Sequence, residues 1–504
     1  MSAPFEVALR ELSFTHGSAT EPLFSGLTVQ FPAGFTGIVG ANGVGKTTLL
    51  ELLIGQRAPD AGEVRRPEHV VHCAQRTDDP PARFDAFMAA DDAEAWVLRG
   101  RLLIEPWRQV PWPALSHGER KRIQIGTALW QAPDLLVVDE PTNHIDGQGR
   151  ELLLAALQAF RGTGVIVSHD RDLLDLLCCQ CLWLTPGGAR LLPGGYSVGR
   201  EGLDRAHLAA VRERATARSE RDRLLAEAGR RRATASNSQA RLSKRGIAAA
   251  DHDAKGRIDA ARVTGKQTQA GRVLNQLSGR VDRANARLDA AQVDKSHELG
   301  IWLHGAGSRR RQLLAKAAGT LRLGDGRELR HPELQIRSDA AIAVTGVNGV
   351  GKSTLLQALI PELKVAPEHL LVLPQEIAAA DASVLLSDIR MLPSAQLGRV
   401  MQIVSRLGSR PGRLLESSTP SPGELRKLLL ALGILKQPHL LVMDEPTNHL
   451  DLPSIEALQG ALAECPCAML LVSHDVRFLG ALTHLRWRME RDSGGETELR
   501  IESD

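Results

Sequence analysis

The sequence predicts an α/β chain of two P-loop domains joined by a long antiparallel helical hairpin linker. Three observations predict it. The stretch Gly40-Ala41-Asn42-Gly43-Val44-Gly45-Lys46-Thr47 recurs about 305 residues later as Gly346-Val347-Asn348-Gly349-Val350-Gly351-Lys352-Ser353. Each copy is followed by an apolar run that ends in two carboxylates, Leu135-Leu136-Val137-Val138-Asp139-Glu140 and Leu440-Leu441-Val442-Met443-Asp444-Glu445. Between the copies, residues 200–311 hold 25 Lys and Arg against 13 Asp and Glu, a local net of +12 in a chain whose total is +3. Domain boundaries at 1–199, 200–312 and 313–504 follow from this layout.

Both octapeptides fit G-x-x-x-x-G-K-[ST]. Glycines let the backbone curl until its N–H groups point inward at phosphate oxygens, and the next helix adds the positive end of its dipole. Candidate nucleotide-binding residues are therefore Gly40, Asn42, Gly43, Gly45, Lys46, Thr47 and Thr48, with Gly346, Asn348, Gly349, Gly351, Lys352, Ser353 and Thr354 in the second copy. Lys46 and Lys352 bring a point charge to the terminal phosphates, and the hydroxyls of Thr47 and Ser353 suit Mg²⁺. The chain is expected to bind two nucleoside triphosphates.

The apolar runs read as buried parallel strands, with acids at the end where α/β sheets hold their ligands. Asp139 and Asp444 are candidate Mg²⁺ residues, and Glu140 and Glu445 candidate general bases for an attacking water. A histidine stands 29 residues after each base, in Ser168-His169-Asp170 and Ser473-His474-Asp475. His169 and His474 suit a hydrogen bond to the terminal phosphate. A further element, Ser116-His117-Gly118-Glu119 and Ser421-Pro422-Gly423-Glu424, places its serine 23 residues before Asp139 and Asp444.

In this order of motifs the chain resembles the ATP-binding cassette superfamily, and the repeated Glu-Pro-Thr-Asn-His-Ile/Leu-Asp at 140–146 and 445–451 resembles its ABC-F branch. The resemblance covers nearly the whole chain. It implies two ATP-binding cassettes closing head to tail, so that each ATP lies between one P-loop and the other cassette's signature serine. Site one then combines Lys46, Thr47, Gln75, Asp139, Glu140 and His169 with Ser421 and Gly423. Site two combines Lys352, Ser353, Gln375, Asp444, Glu445 and His474 with Ser116 and Gly118. Gln75 and Gln375 are implied as further Mg²⁺ residues, and Phe14 as the ring that stacks on adenine in site one. Leu321-Arg322-Leu323-Gly324 offers no aromatic equivalent in site two. His117 and Pro422 depart from the usual glycine, and proline removes an N–H.

The basic segment reads as two long helices, about 203–242 and 251–292, turning near Gly246. Arg230, Arg231, Arg232, Arg241, Lys244, Arg245, Lys255 and Arg257 crowd its middle and are the candidate RNA-contacting residues. No Phe, Trp or Tyr falls within 200–300, so backbone contact is expected rather than base stacking. A solvated hairpin kept soluble by its charges is the competing reading. The resemblance implies a ribosome-directed ATPase, entering near the tRNA exit site and aiming the linker at rRNA and tRNA, as a translation factor or an antibiotic-resistance protection protein. Alternatives are the ATPase subunit of a transporter with separate membrane chains and a DNA-maintenance ATPase.

With 43% apolar and 24% charged residues the composition is that of an ordinary globular protein. No run of 18 apolar residues and no leader-like start is present, which leads to the expectation of a cytoplasmic protein with no membrane contact and a single chain carrying both cassettes. With 30 residues after His474, no appended coiled coil is expected. Six cysteines lack metal-finger spacing and are expected to be reduced thiols with no zinc site.

Overall fold

Apolar runs too continuous for a half-exposed strand become the middle strands of two parallel sheets, and this decides where the motifs meet. The computed structural model describes residues 6–17, 21–105, 110–143, 145–241, 266–290, 307–323, 326–409, 420–491 and 496–503. The chain forms two units, Met1–Gly199 together with Glu298–Asp504, and Arg200–His297.

In the first cassette an antiparallel sheet of β2 (Phe24–Phe31), β1 (Val7–Phe14) and β4 (Ala61–Arg65) accompanies a six-stranded one. The latter has the order β5 (Val70–Cys73), β6 (Leu135–Asp139), β7 (Thr163–Val167), β3 (Gly34–Gly40), β8 (Cys178–Thr185) and β9 (Gly188–Pro193), parallel except for β9. Because β6, β7 and β3 are neighbours, their carboxyl ends deliver Asp139, Ser168 and the P-loop to one edge.

The second cassette repeats the central order with β15 (Leu370–Leu373), β16 (Leu440–Asp444), β17 (Ala468–Val472), β14 (Ala341–Thr345) and β18 (Leu485–Arg491). Here β19 (Thr497–Ser503), β12 (Glu328–His331) and β11 (Gly319–Arg322) extend the sheet to eight strands. A separate pair joins β10 (Gln312–Lys316) to β13 (Leu334–Arg337). Leu440, Val442, Leu470 and Val472 face one core with Leu355 and Trp487, while Leu441, Met443, Met469 and Leu471 face the other with Phe478, as the period-two pleat requires.

Each P-loop runs into a helix, α1 (Lys46–Ile54) and, in the second cassette, α9 (Lys352–Leu359). Gly45 and Gly351 both hold φ near 105°, and a Cβ there would stand 2.8 Å from Leu23 and Leu323 respectively. Only glycine fits. Between the glutamine and the signature each cassette inserts short helices, α2 (Phe84–Ala89) and α3 (Ala93–Arg101) in the first, α10 (Ala379–Arg390) and α11 (Ser394–Arg406) in the second. These pack on the signature helices α4 (His117–Trp130) and α12 (Pro422–Leu435). The remaining helices of this unit are α5 (Gly147–Gln158), α6 (Arg171–Leu177), α13 (Leu452–Ala463) and α14 (Val476–Leu482).

The other unit contains most of α7 (Tyr196–Arg241) and α8 (Lys266–Ala290). At 46 residues α7 is roughly 70 Å long. Leu224 and Ala228 pack with Leu277, Val281 and Ala284, and Arg287 stands 3.7 Å from Glu220, so the two helices run antiparallel. Arg230, Arg231 and Arg232 are exposed, with Arg231 paired to Glu227 at 2.6 Å. The turn read at Gly246, with Lys244, Arg245, Lys255 and Arg257, lies outside the described residues, as does the side chain of Arg241.

The sequence reading of six reduced cysteines needs one correction: Cys465 and Cys467 are joined by a disulfide across Pro466, their Cα atoms 5.5 Å apart. Cys73, Cys178, Cys179 and Cys181 are free thiols. No helix among the described residues is long and apolar enough to cross a membrane.

Because the contact between α7 and α8 is a narrow apolar stripe, Leu224→Ala should lower the stability of that pairing by about 2 kcal/mol. Hydrogen exchange of the full chain should show faster exchange in both helices and none in the cassettes.

Candidate active site

The P-loop lysines lie over their own loops. Lys46 Nζ donates to the carbonyls of Gly40 (2.8 Å) and Ala41 (3.3 Å), and Lys352 Nζ to those of Gly346 (2.7 Å) and Val347 (3.1 Å). Burial lowers the pKa of both, against the pull of the nearby carboxylates. Such a buried cation resting on uncharged oxygens, for Lys46 also Asn42 Oδ1 at 3.4 Å, fits a loop built to receive phosphate.

Behind the lysines stand the acids. Glu140 and Glu445 follow directly on the buried strands β6 and β16, and both adopt left-handed φ, 46° and 49°. Their N–H groups still bond the neighbouring strands, at Val167 O (2.9 Å) and Val472 O (2.8 Å), which holds the strained turn in place. Burial pushes the Glu140 carboxyl up to about 7 and that of Glu445 up to about 8, with Lys46 and Lys352 opposing. Values in that range suit a base working near neutrality. Asp139 and Asp444 are also raised by burial, and Ser353 donates to Asp444.

The histidines complete each acid. The backbone N–H of His169 donates to Glu140 Oε2 (3.1 Å) while its ring Nε2 lies 3.1 Å from Oε1; His474 repeats this with Glu445 at 3.3 and 3.5 Å. His474 Nε2 also lies 2.9 Å from Asn348 Oδ1. Burial, together with the repelling lysines, holds His169 down to about 3 and His474 to about 4. Both rings are neutral at neutral pH.

The two cassettes meet through their P-loops. Asp451 Oδ2 accepts from the N–H of Asn42 at 2.6 Å, and Asp146 Oδ2 accepts from the N–H of Asn348 at 3.3 Å. In the second site a cleft of about 590 Å³ gathers Lys352, Ser353, Thr354, Gln375, Asp444, Glu445 and His474 with Thr142, Asn143 and Arg150 of the first cassette. An adjoining cavity of about 820 Å³ is lined by Ser116 and Gly118 and shares Asn348 with that cleft. In the first site His449 O accepts from Asn42 Nδ2 at 3.4 Å, and the same carbonyl would sit 2.4 Å from a Cβ on Gly423. Gly423 is thus pressed against the segment that touches the partner P-loop.

Ser116 and Ser421 are the N-caps of α4 and α12, in capping boxes with Glu119 and Glu424. Pro422 occupies the first helical turn, where its missing N–H costs the helix nothing. His117 turns its Nδ1 to Thr77 Oγ1 at 3.3 Å. Gln75 and Gln375 are exposed at the loop after β5 and β15. Oxygen donors from Thr47 or Ser353, Asp139 or Asp444, and Gln75 or Gln375 match the preference of Mg²⁺. Among the described residues no three His, Cys, Asp or Glu form a metal cluster.

Phe14 does not lie where an adenine platform is needed. Its ring is 7% exposed in the core with Leu12 and Phe24, because strand alternation turns residues 12 and 14 inward together. The ring beside it is His16, half-buried, edge-on to Phe14 and with Nε2 3.4 Å from Thr48 Oγ1 on α1. The end of β1 at Phe14 was the available signal, since His16 lies two residues beyond it. In the second site Leu323 and Arg327 line the cleft at the corresponding edge, and Arg327 Nη2 donates to Gly349 O at 2.8 Å. Lys121 and Arg426, both buried, were also missed; a basic residue five positions after each signature serine was the signal.

The protein-family model described as "ABC transporter" matches residues 24–143 and 329–448. The chain is 27% identical to the ribosome protection protein VmlR of Bacillus subtilis, over 89% of this chain and 80% of that protein. It is 30% identical to the tylosin resistance ATP-binding protein TlrC of Streptomyces fradiae, over 91% and 93% of the two chains. Among solved structures, the archaeal ribosome recycling factor aABCE1, in complex with the ribosomal stalk protein aP1, superposes with a TM-score of 0.63 at 18% identity, over 98% of this chain and 90% of that one.

Two outcomes are expected here. A general base must be unprotonated, so kcat/KM for ATP should rise roughly tenfold per pH unit below about 7 and level off above about 8; phosphate release between pH 6 and 9 measures it. His16→Ala should weaken binding of a fluorescent ATP analogue about fivefold, the value of one ring contact, whereas Phe14→Leu should leave it unchanged and lower the melting temperature.

Proposed function

The chain belongs to the ABC-F family of ATP-hydrolysing tandem-cassette proteins, and on that premise we propose that it uses ATP-driven closure of its cassettes to act on the ribosome. The reciprocal bonds from Asp451 to Asn42 and from Asp146 to Asn348 carry the reading. They support a head-to-tail sandwich in which each triphosphate is completed by the other cassette's signature. The ribosomal partner is supported by VmlR and aABCE1, whose names place them at ribosomal work, and by the basic linker. The transporter-subunit alternative is not favoured by relatives matched along nine-tenths of the chain.

Lys46 and Lys352 leave their carbonyls to meet the terminal phosphates, and Ser421 and Ser116 donate from across the interface. Thr47 with Asp139 and Gln75, and Ser353 with Asp444 and Gln375, would hold Mg²⁺, which would supply neutralising charge at the phosphate oxygens. Glu140 and Glu445 take a proton from the attacking water at the carboxylate oxygen that faces it, and His169 and His474, neutral, hold those carboxylates in line. Loss of the terminal phosphate removes what bridges the cassettes, and the sandwich opens. In the first site the adenine ring is held by His16.

On the ribosome the closed form stands near the tRNA exit site, with the basic linker turned to rRNA and tRNA backbones. The role is that of a translation factor or of protection from a ribosome-targeting antibiotic, the latter supported by the resemblance to a ribosome protection protein and to a tylosin resistance protein. The protein works in the cytoplasm as a monomer.

Replacing both bases, Glu140→Gln with Glu445→Gln, should slow hydrolysis about 10²–10⁴-fold and trap the closed form. With ATP, that variant should sediment with ribosomes on a sucrose gradient; free protein at the top would sink the reading. Adding Arg230→Ala, Arg231→Ala and Arg232→Ala should weaken ribosome binding and flatten its salt dependence while leaving ATP affinity unchanged.

A further inference from the structure

Two of the bulkiest wholly buried side chains in the cassettes are cations that the chemistry above does not use. Lys121 is fully buried and Arg426 is 2% exposed. Each stands five residues after a signature serine, about one and a half turns into α4 or α12. Lys121 Nζ donates to the carbonyls of Ala74 (2.7 Å), Gln75 (3.3 Å) and Asp139 (3.4 Å). Arg426 donates to those of Pro374 (3.1 Å), Gln375 and Glu445 (2.5 Å). Lysine and arginine thus grip the same two segments in the two cassettes, the loop that carries the glutamine and the end of the acid strand.

Carbonyls offset the burial of a charge only in part, and burial lowers the pKa of both groups. An apolar side chain of equal volume would fill either space without that penalty. What the cation adds is a directed hold on two segments at once.

The helix that carries each cation serves both sites. Ser116 caps α4 in the cavity that Asn348 shares with the second site, while Lys121, on the same helix, holds Gln75 and Asp139 of the first. On α12 Gly423, two residues after Ser421, presses on His449, whose carbonyl accepts from Asn42 of the first P-loop, while Arg426 holds Gln375 and Glu445 of the second site. We propose that Lys121 and Arg426 are positioning residues that couple the two nucleotide sites, each passing movement of a signature helix at one triphosphate to the glutamine and acid strand at the other. The coupling rests on the two-site ATP reading and is independent of the ribosome.

Nucleotide binding reads it out without turnover. The full chain carrying Glu140→Gln and Glu445→Gln, titrated with a fluorescent ATP analogue and Mg²⁺, should bind with a Hill coefficient of about 1.5 or more. Adding Lys121→Met and Arg426→Met should bring it to about 1 with the mean Kd within about threefold, because the loops lose their link and not their phosphate contacts. The charge-keeping pair Lys121→Arg and Arg426→Lys should retain cooperativity, which a merely space-filling role would not distinguish. Hydrogen exchange at 73–77 and 372–376 should quicken in the Met variant alone. Should that variant not fold, Lys121→Met and Arg426→Met taken singly must each lower the coefficient. Non-cooperative binding in the parent, or cooperativity that survives the Met changes, overturns the coupling alone; absence of any binding removes the ATP reading with it.

Discussion

A backbone N–H of each P-loop bonded to a carboxylate of the other cassette is the contact on which the nucleotide-binding half depends. Asp146 and Asp451 can make it because each uses one oxygen to cap its own helix, at Gly149 N and Ser454 N, and the other to reach across. A capped helix fixes the carboxylate's direction before the partner arrives. Around these bonds lie Arg171 with Asp475, Arg477 with Asp172 and Asp175, and Tyr196 with Glu456. Part-exposed pairs of this kind add little energy singly, so their contribution is to register: they admit one way for the cassettes to meet.

The same constraint explains the electrostatics. The two sites together hold four buried acids, two buried lysines and two half-buried histidines, and the lysines rest on carbonyls rather than on the acids. Glutamates rise, histidines fall, and the lysines lie on carbonyls. An arrangement that holds its charges so poorly neutralised is suited to receive a polyanion with its cation. The left-handed turn at Glu140 and Glu445 belongs to this balance, since strand bonds from Val167 and Val472 oppose the local strain.

Repetition made most of the site legible before any coordinates. Two P-loops, two acid strands and two histidines at equal spacing identify local chemistry, because each motif needs only its own backbone to be recognised. What escaped was anything defined by a neighbour distant in sequence. Phe14 looked like a platform from its place in the motif, yet the pleat that buries Leu12 buries Phe14 too and leaves His16 at the edge. Lys121 and Arg426 stand among other basic residues of the signature helices, and what sets them apart is their bonds to carbonyls of the glutamine loop and the acid strand, residues distant in sequence. Cys465 and Cys467 read as thiols until a turn brought their Cα atoms to 5.5 Å.

By itself, then, the order of residues determined the strands, the phosphate loops, the acids and the basic linker, since period, glycine placement and charge act over a few neighbours. Which aspartate reaches which P-loop and which cations are shut away from water were decided by tertiary packing. That packing joins residues such as Asn42 and Asp451, 409 positions apart, and no local pattern encodes a bond of that span.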